Sequence, residues 1–230
     1  EVEFSSSLDF DLSRRDFTIN AMAFTFNKER DDWEIIDKYA GRLDLRKGLI
    51  KAVGDCHDRF RDDPLRMLRA IRFANKYNFQ LENNMRGLIS KMKNHLFDIS
   101  IERIVSELDQ ILLSPTPDRG ISLMSNDPAL REKTTSLLSV ILPEVYDNDV
   151  YERLDEIKID PFDPEKSLNL RWKRLLSQTG TRETKEIEFQ DENITLYKYA
   201  KNPQLTKYIN RGICARMKFG NQRTKIILGE

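Results

Sequence analysis

One stretch constrains this chain more than any other: RFRDDPLRMLRAIRFA, residues 59–74. Met67, Leu68, Ile71 and Ala74 recur at helical spacing and form an apolar stripe. Five arginines and two adjacent aspartates occupy the same sixteen positions. A helix of this kind must bury one face and present charge on the other. The pattern predicts a helix start at Asp62, Asp63 and Pro64, because Asp is a favoured N-cap and proline suits the first helical position. Asp63, Arg66, Arg69 and Arg72 are each three apart, so they are neighbours on the helix surface. They form one slanting row roughly 13 Å long, with its acid at one end.

The segments on either side differ in period. FTINAMAFTFN (17–27), the polar KERDD and WEIID (33–37) read as a β-hairpin or the last strands of a sheet. Residues 38–55 are punctuated by glycine and read as a connector, with one short strand at LIKAV. Leu88, Ile89, Met92 and Leu96 continue the helical period. So do Ile101, Ile104, Val105, Leu108, Ile111 and Leu112, with Asp98 or Ser100 as N-cap and SPTP (114–117) as the stop. Further helices are expected near 119–125, 129–141, 166–177, 193–200 and 204–217. The expected fold class is mainly α with a small β remnant. It divides into 1–55 (β-containing), 56–115 (helical, carrying the charged row) and 116–230 (helical).

Several function classes fall away on composition. The 38 basic and 38 acidic residues cancel, which excludes a polyanion-coating tail but leaves room for a local basic face. His57 and His95 are the only histidines, too few for a His-ligated metal site or a Ser-His-Asp triad. Cys56 and Cys214 are far apart and fit a reducing, cytoplasmic setting better than a disulfide framework. No run approaches the ~18 apolar residues of a membrane span. The chain opens on the strand-like EVEF without a methionine, so a fragment is expected.

Two readings of the charged row stand. In one, Asp63 caps and the arginines are a solvated, salt-bridged face. In the other, the row reads a base. A carboxylate only accepts hydrogen bonds and a guanidinium only donates them. Side by side they match the 4-amino group and N3 of cytosine, or the 6-amino group and N1 of adenine. Guanine and uracil put a carbonyl opposite the carboxylate, and two opposed acceptors in a desolvated pocket cost about 1–3 kcal/mol.

DLSRRDFTINAMAF (11–24), RFRDDPLRMLRAIRFA (59–74) and ISIERIVSELDQIL (99–112) occur in that order. Together they resemble the class II tRNA nucleotidyltransferase family, the CCA-adding enzymes and their bacterial poly(A) polymerase relatives. RRDFTINAMA resembles the ribose and nucleotide motif, DDPLRMLRAIRFA the base-reading motif, and ERIVSEL the neck-stabilising motif. The resemblance covers residues 2–115 and weakens beyond them. It implies the end of a nucleotidyltransferase head sheet in residues 1–55, followed by a helical neck and body. It implies CTP and ATP as substrates, the tRNA 3′ end as partner, and C and A addition without a template. Asp63 and Arg66 would read the base, and Arg69 and Arg72 would contact the phosphates. Arg15 would contact the nucleotide, Asp16 the ribose, and Asn20 would support their loop. Glu102 and Arg103 would brace the neck, with Asp62 beside them where the family usually has Glu.

The same resemblance implies that Mg²⁺ is held by an Asp-x-Asp pair upstream of RRD, in a portion this chain lacks. Asp9 and Asp11 have that spacing but stand where the family has an ordinary polar lead-in, so no metal site is expected in these residues. The chain alone is therefore expected to be inactive. Poly(A) polymerase, a C-only or A-only enzyme, and a non-catalytic nucleotide- or RNA-binding module remain as alternatives. Trp33 and Trp172 are expected to pack in the interior. Arg171, Lys173 and Arg174 are expected either to track tRNA phosphates or to form a solvated face. LRWKRLLSQTG has no histidine, which excludes a His-Asp phosphohydrolase at that place.

Overall fold

The structure, a computed structural model, describes residues 7–125, 136–141, 157–177, 183–189 and 192–198. The described chain is mainly helical, with three two-stranded sheets. Helix α1 spans Leu8–Ser13. A hairpin follows, β1 Ala23–Asn27 against β2 Asp32–Ile36, with Phe24 opposite Ile35 and Phe26 opposite Trp33. The Asn27 side chain shapes its turn by accepting the backbone N–H groups of Glu29 and Arg30. Helix α2 is Gly41–Lys47, and β3 is Leu49–Ile50. Gly41 lies so close to the carbonyl of Thr18 that a Cβ there would collide with it.

Next come α3 Cys56–Asp62, α4 Arg66–Tyr77, β4 Gln80–Leu81 and α5 Asn83–Met92. β4 runs parallel to β3. Helix α6 is Ile101–Leu112 and α7 is Pro117–Met124. The short α8 is Leu138–Ile141 and α9 is Pro164–Ser177. β5 Glu183–Phe189 and β6 Glu192–Lys198 pair antiparallel.

Helix α4 is the hub. Met67, Leu68, Ala70, Ile71 and Ala74 are buried along it, and it packs on α3, α6, α7, β3 and β4. One continuous apolar cluster runs from Phe17 through these residues to Ile111, Leu138 and Trp172. The helix ends at Asn78, which takes a left-handed conformation (φ 55°), while the Phe79 N–H reaches back to the Ala74 carbonyl at 2.8 Å. Buried Asn75 donates to Ser114 Oγ at 2.7 Å and accepts from Thr116 Oγ at 3.1 Å, pinning the SPTP stop to α4. Gly120 meets Ile111 and Asn75 too closely for any side chain.

Four expectations change. The expected connector 38–55 carries helix α2 as well as a short strand, because the Asp37 carboxylate accepts the Gly41 and Arg42 N–H groups at the helix start. Residues 192–198 form strand β6 rather than a helix near 193–200. The run ITLYKY is rich in β-branched and aromatic residues, and β5 supplies a full seven-residue partner. Trp33 is 57% exposed, stacked on Phe24 with ring centroids 4.8 Å apart. It shares an exposed face of the two-stranded hairpin with Phe24, Phe26 and Ile35. Helix α4 begins at Arg66 rather than at Pro64. Asp63 instead follows the last residue of α3, with an extended backbone (φ −146°, ψ 97°). Of the helix expected near 129–141, residues 136–141 are described, with α8 inside them; the helix near 204–217 lies outside the described residues.

Candidate functional site

The site is built at the junction of α3 and α4. The Arg66 N–H bonds to the Asp63 carbonyl at 3.1 Å and the Met67 N–H to the Pro64 carbonyl at 3.0 Å, so a tight turn leads into α4. Proline suits this turn because it needs no N–H there. Asp63 Oδ1 accepts the Leu65 N–H at 3.2 Å, and Oδ2 accepts Arg103 Nη2 from α6 at 2.8 Å.

Each arginine of the row meets an acid from another segment. Arg66, 15% exposed in its side chain, donates Nε to Asp16 Oδ1 at 2.8 Å and Nη1 to the Arg59 carbonyl at 3.0 Å. Arg69 Nη2 lies 2.6 Å from the other Asp16 oxygen, and its Nη1 lies 3.9 Å from Glu107 Oε1. Its buried Nε has no protein partner. Arg72 donates Nε to Glu107 Oε2 at 2.6 Å and stands 4.4 Å over the Phe73 ring. Arg66, Asp16, Arg69, Glu107 and Arg72 therefore form one chain of alternating charge, and the Asp63–Arg103 pair stands beside it, joined through the Arg66 N–H to the Asp63 carbonyl.

Local structure explains how Asp16 arrives. Its carbonyl accepts the Val53 N–H at 3.1 Å, and Thr18 N–H bonds to the Lys51 carbonyl at 2.9 Å, so the RRDFT segment is tied to the connector before α3. Asn20 Oδ1 accepts the Phe17 N–H at 3.2 Å and closes the turn at Thr18–Asn20. Arg59 reaches the carbonyls of Val53 and Ser13 and fastens α3 to the same segment. Arg15 turns the other way, with Nη2 2.7 Å from Asp11. Asp62 and Glu102 are exposed, Glu102 in the first turn of α6, where a negative charge suits the helix dipole.

Sequence reasoning missed Glu107 and Arg59. Glu107 had a signal: it stands on the α6 stripe with Ile104 and Ile111, and an acid on an apolar stripe requires a partner. Arg171 was misread. It is 2% exposed and donates to the carbonyls of Ile157, Leu112 and Ser114, so it is an internal clamp and neither a solvated nor a phosphate-tracking group. Trp172 is buried as expected, and its Nε1 donates to Asp109 at 2.6 Å.

Among the described residues, Asp9 and Asp11 do not fit a pair of magnesium ions. Asp9 and Asp11 lie on helix α1, where residues two apart point to different sides. Asp9 pairs with Lys38, and Asp11 with Arg14 and Arg15. The hydrogen bond from Arg15 holds the Asp11 carboxyl below its usual range against desolvation, with the charge of Arg15 and the hydrogen bond and charge of Arg14 adding to it. Among the described residues, Asp55, His57 and Asp58 also stand together, but they are exposed, and Asp55 is already the cap of α3, accepting Asp58 N–H at 2.9 Å.

Known proteins resemble this chain in sequence and fold. A sequence family described as "Poly A polymerase head domain" matches residues 1–51, and one described as "Probable RNA and SrmB- binding site of polymerase A" matches residues 78–147. The CCA-adding enzyme of Leuconostoc mesenteroides is 33% identical over 188 residues, covering 82% of this chain and 43% of that protein. The chain belongs to the class II tRNA nucleotidyltransferase and poly(A) polymerase family. A crystal structure of the Bacillus stearothermophilus CCA-adding enzyme in complex with CTP superposes with a TM-score of 0.50 and 30% identity, over 75% of this chain and 45% of that one. The Thermotoga maritima CCA-adding enzyme complexed with tRNA gives a TM-score of 0.51 and 26% identity, over 77% and 46% of the two chains. The chain spans less than half the length of the curated nucleotidyltransferases it matches. No helix among the described residues is long and apolar enough to cross a membrane.

Proposed function

We propose that this chain selects the nucleotide and binds RNA for template-independent addition of C and A to the tRNA 3′ end, in the cytoplasm. What supports the reading is an acceptor-only group at Asp63 and a donor-only group at Arg66, three apart and held on the same tight turn into α4. Each Asp63 oxygen accepts one N–H and keeps further lone-pair capacity for an amino group. Arg66 uses Nε and Nη1, which leaves Nη2 to meet N3 of cytosine or N1 of adenine. Arg69, with its unpartnered Nε, and Arg72 continue the row toward the triphosphate. Asp16 sets both guanidinium groups and stands where the ribose hydroxyls would come. Exposed Arg15 and the Asn20 turn flank it, and Asp62, Glu102 and Arg103 support the neck. The reaction joins the tRNA 3′ oxygen to the α-phosphorus and releases pyrophosphate. Asp9 and Asp11 do not form a fitting carboxylate pair, so the part of the described residues in that reaction is selection and orientation, with Mg²⁺ held elsewhere in the full enzyme.

The Asp63–Arg66 pair accepts both C and A. It therefore serves a CCA-adding enzyme, a C-only or A-only enzyme and a poly(A) polymerase equally well. The likeness to CCA-adding enzymes favours the first. A non-catalytic binding module would use the same pair without turnover.

Asp63→Ala tests the reading. Titrated with CTP, ATP, UTP and GTP, the variant should lose affinity for CTP and ATP, and its preference over UTP and GTP should fall about tenfold, the equivalent of one mismatched hydrogen-bonding site. A thermal melt separates this from a folding defect, because losing a turn cap costs up to about 2 kcal/mol. Unchanged base preference in a folded variant would refute the assignment.

A further inference from the structure

We infer that Arg103 is a specificity-determining positioning residue: its guanidinium fixes the direction of the Asp63 carboxylate and so enforces the rejection of uracil and guanine. The inference rests on the base-reading assignment of Asp63 above.

Helix α6 presents charges complementary to the row on α4. Arg103 and Glu107 are four apart and share one face. Arg103 meets the acidic end of the row at Asp63, and Glu107 meets its basic end at Arg72 and Arg69. The two helices pack directly on each other. Without Arg103, Asp63 is held only through Oδ1, by the Leu65 N–H at 3.2 Å. The carboxylate could then swing about that bond. With Arg103 on Oδ2 at 2.8 Å, both oxygens are fixed, and the plane of the carboxylate with them.

That restraint matters for discrimination more than for affinity. A cytosine or adenine amino group finds an acceptor whether the carboxylate is fixed or mobile. The O4 of uracil or O6 of guanine is rejected only if the opposing acceptor cannot turn aside. A fixed carboxylate keeps the acceptor–acceptor opposition, and a mobile one relieves it. The Asp63–Arg103 pair is itself a poor candidate for a stability element. Arg103 is 49% exposed and Asp63 27% exposed in their side chains, and ion pairs so open to solvent add little to folding.

Equilibrium binding of CTP and UTP to the 230-residue chain tests this, with wild type, Arg103→Ala and Arg103→Lys compared. In Arg103→Ala the CTP:UTP affinity ratio should fall by about tenfold, mostly through gained UTP binding, with an unchanged melting temperature. Arg103→Lys keeps the charge but not the forked geometry, and should restore part of the ratio. An unchanged ratio in Arg103→Ala overturns the inference while leaving the base-reading assignment intact. Tighter CTP binding by Arg103→Ala also overturns it, since Arg103 would then be a competitor of the base. A wild-type chain that binds CTP and UTP equally, or neither, refutes the base-reading assignment, and this inference falls with it.

Discussion

At the scale of single residues, the same side chain serves opposite ends according to what surrounds it. Arg66 faces a carboxylate and keeps a free N–H at a partly open site. Arg171 donates to the carbonyls of Ile157, Leu112 and Ser114, and the one at Leu112 is an acceptor that the C-terminal end of α6 leaves unpaired. A buried guanidinium is tolerated only when its donors are matched, and here backbone oxygens match them. Cys56 is the buried residue with the clearest chemical consequence. Burial, followed by the charges of Glu82 and Asp55, pushes its thiol up to about 12. Its folded value lies above its unfolded one, so the neutral thiol favours the fold below pH ~9, and that contribution is lost as pH rises from there toward 12. Chemical denaturation at pH 8 and pH 10.5 should therefore show a larger loss of stability in the wild type than in Cys56→Ala. Native Cys56 should also resist iodoacetamide until the chain unfolds. Equal losses in the two proteins would show that the thiol titrates normally.

At the scale of elements, α4 does two jobs with one period. Its buried face, from Met67 to Ala74, sets its place in the core, and its charged face is thereby aimed at Asp16 and α6. The β1–β2 hairpin contrasts with it. Phe24, Phe26, Trp33 and Ile35 share one face and are all exposed. The two tryptophans of the chain thus occupy opposite environments, 57% exposed at Trp33 and 1% exposed at Trp172. Trp172→Phe should remove the blue-shifted, acrylamide-resistant emission, and Trp33→Phe the red-shifted, quenchable emission. Trp172→Ala should destabilise the fold by about 3–5 kcal/mol, since it empties a packed site and removes the indole N–H donated to Asp109 Oδ1. Trp33→Ala should cost under about 1 kcal/mol, because only a partly solvated stack is lost. Similar costs at the two positions would mean that the hairpin face is covered in solution.

At the scale of the molecule, one core joins the RRDFT segment to the helices, so the charged row and its supporting acids form a single packed unit. Binding and catalysis separate at this scale. In-line phosphoryl transfer requires stabilisation of the attacking and leaving oxygens together, commonly by paired metal ions on carboxylates. Asp9 and Asp11 are committed to cations on different sides of α1. The 230-residue chain, incubated with tRNA lacking its terminal CCA, labelled CTP and ATP, and Mg²⁺, should therefore add no nucleotide while still binding CTP. Label at the tRNA 3′ end would show that residues of this chain hold the metals after all.

The sequence alone determined the elements whose cause is local. The α4 stripe, the arginines Arg66, Arg69 and Arg72 on its other face, the hairpin at 23–36 and the stop at SPTP all follow from periodicity and turn chemistry, which act over a few residues. The three ordered motifs likewise sufficed to indicate the family. Tertiary structure decided the pairings. Asp16 reaches Arg66 across fifty residues, Glu107 reaches Arg72 across thirty-five, and Arg103 reaches Asp63 across forty. It also buried Arg171, left Trp33 outside and turned 192–198 into a strand. Helical period reports which face a side chain occupies. The partner it finds there depends on which distant segment the core packing brings alongside.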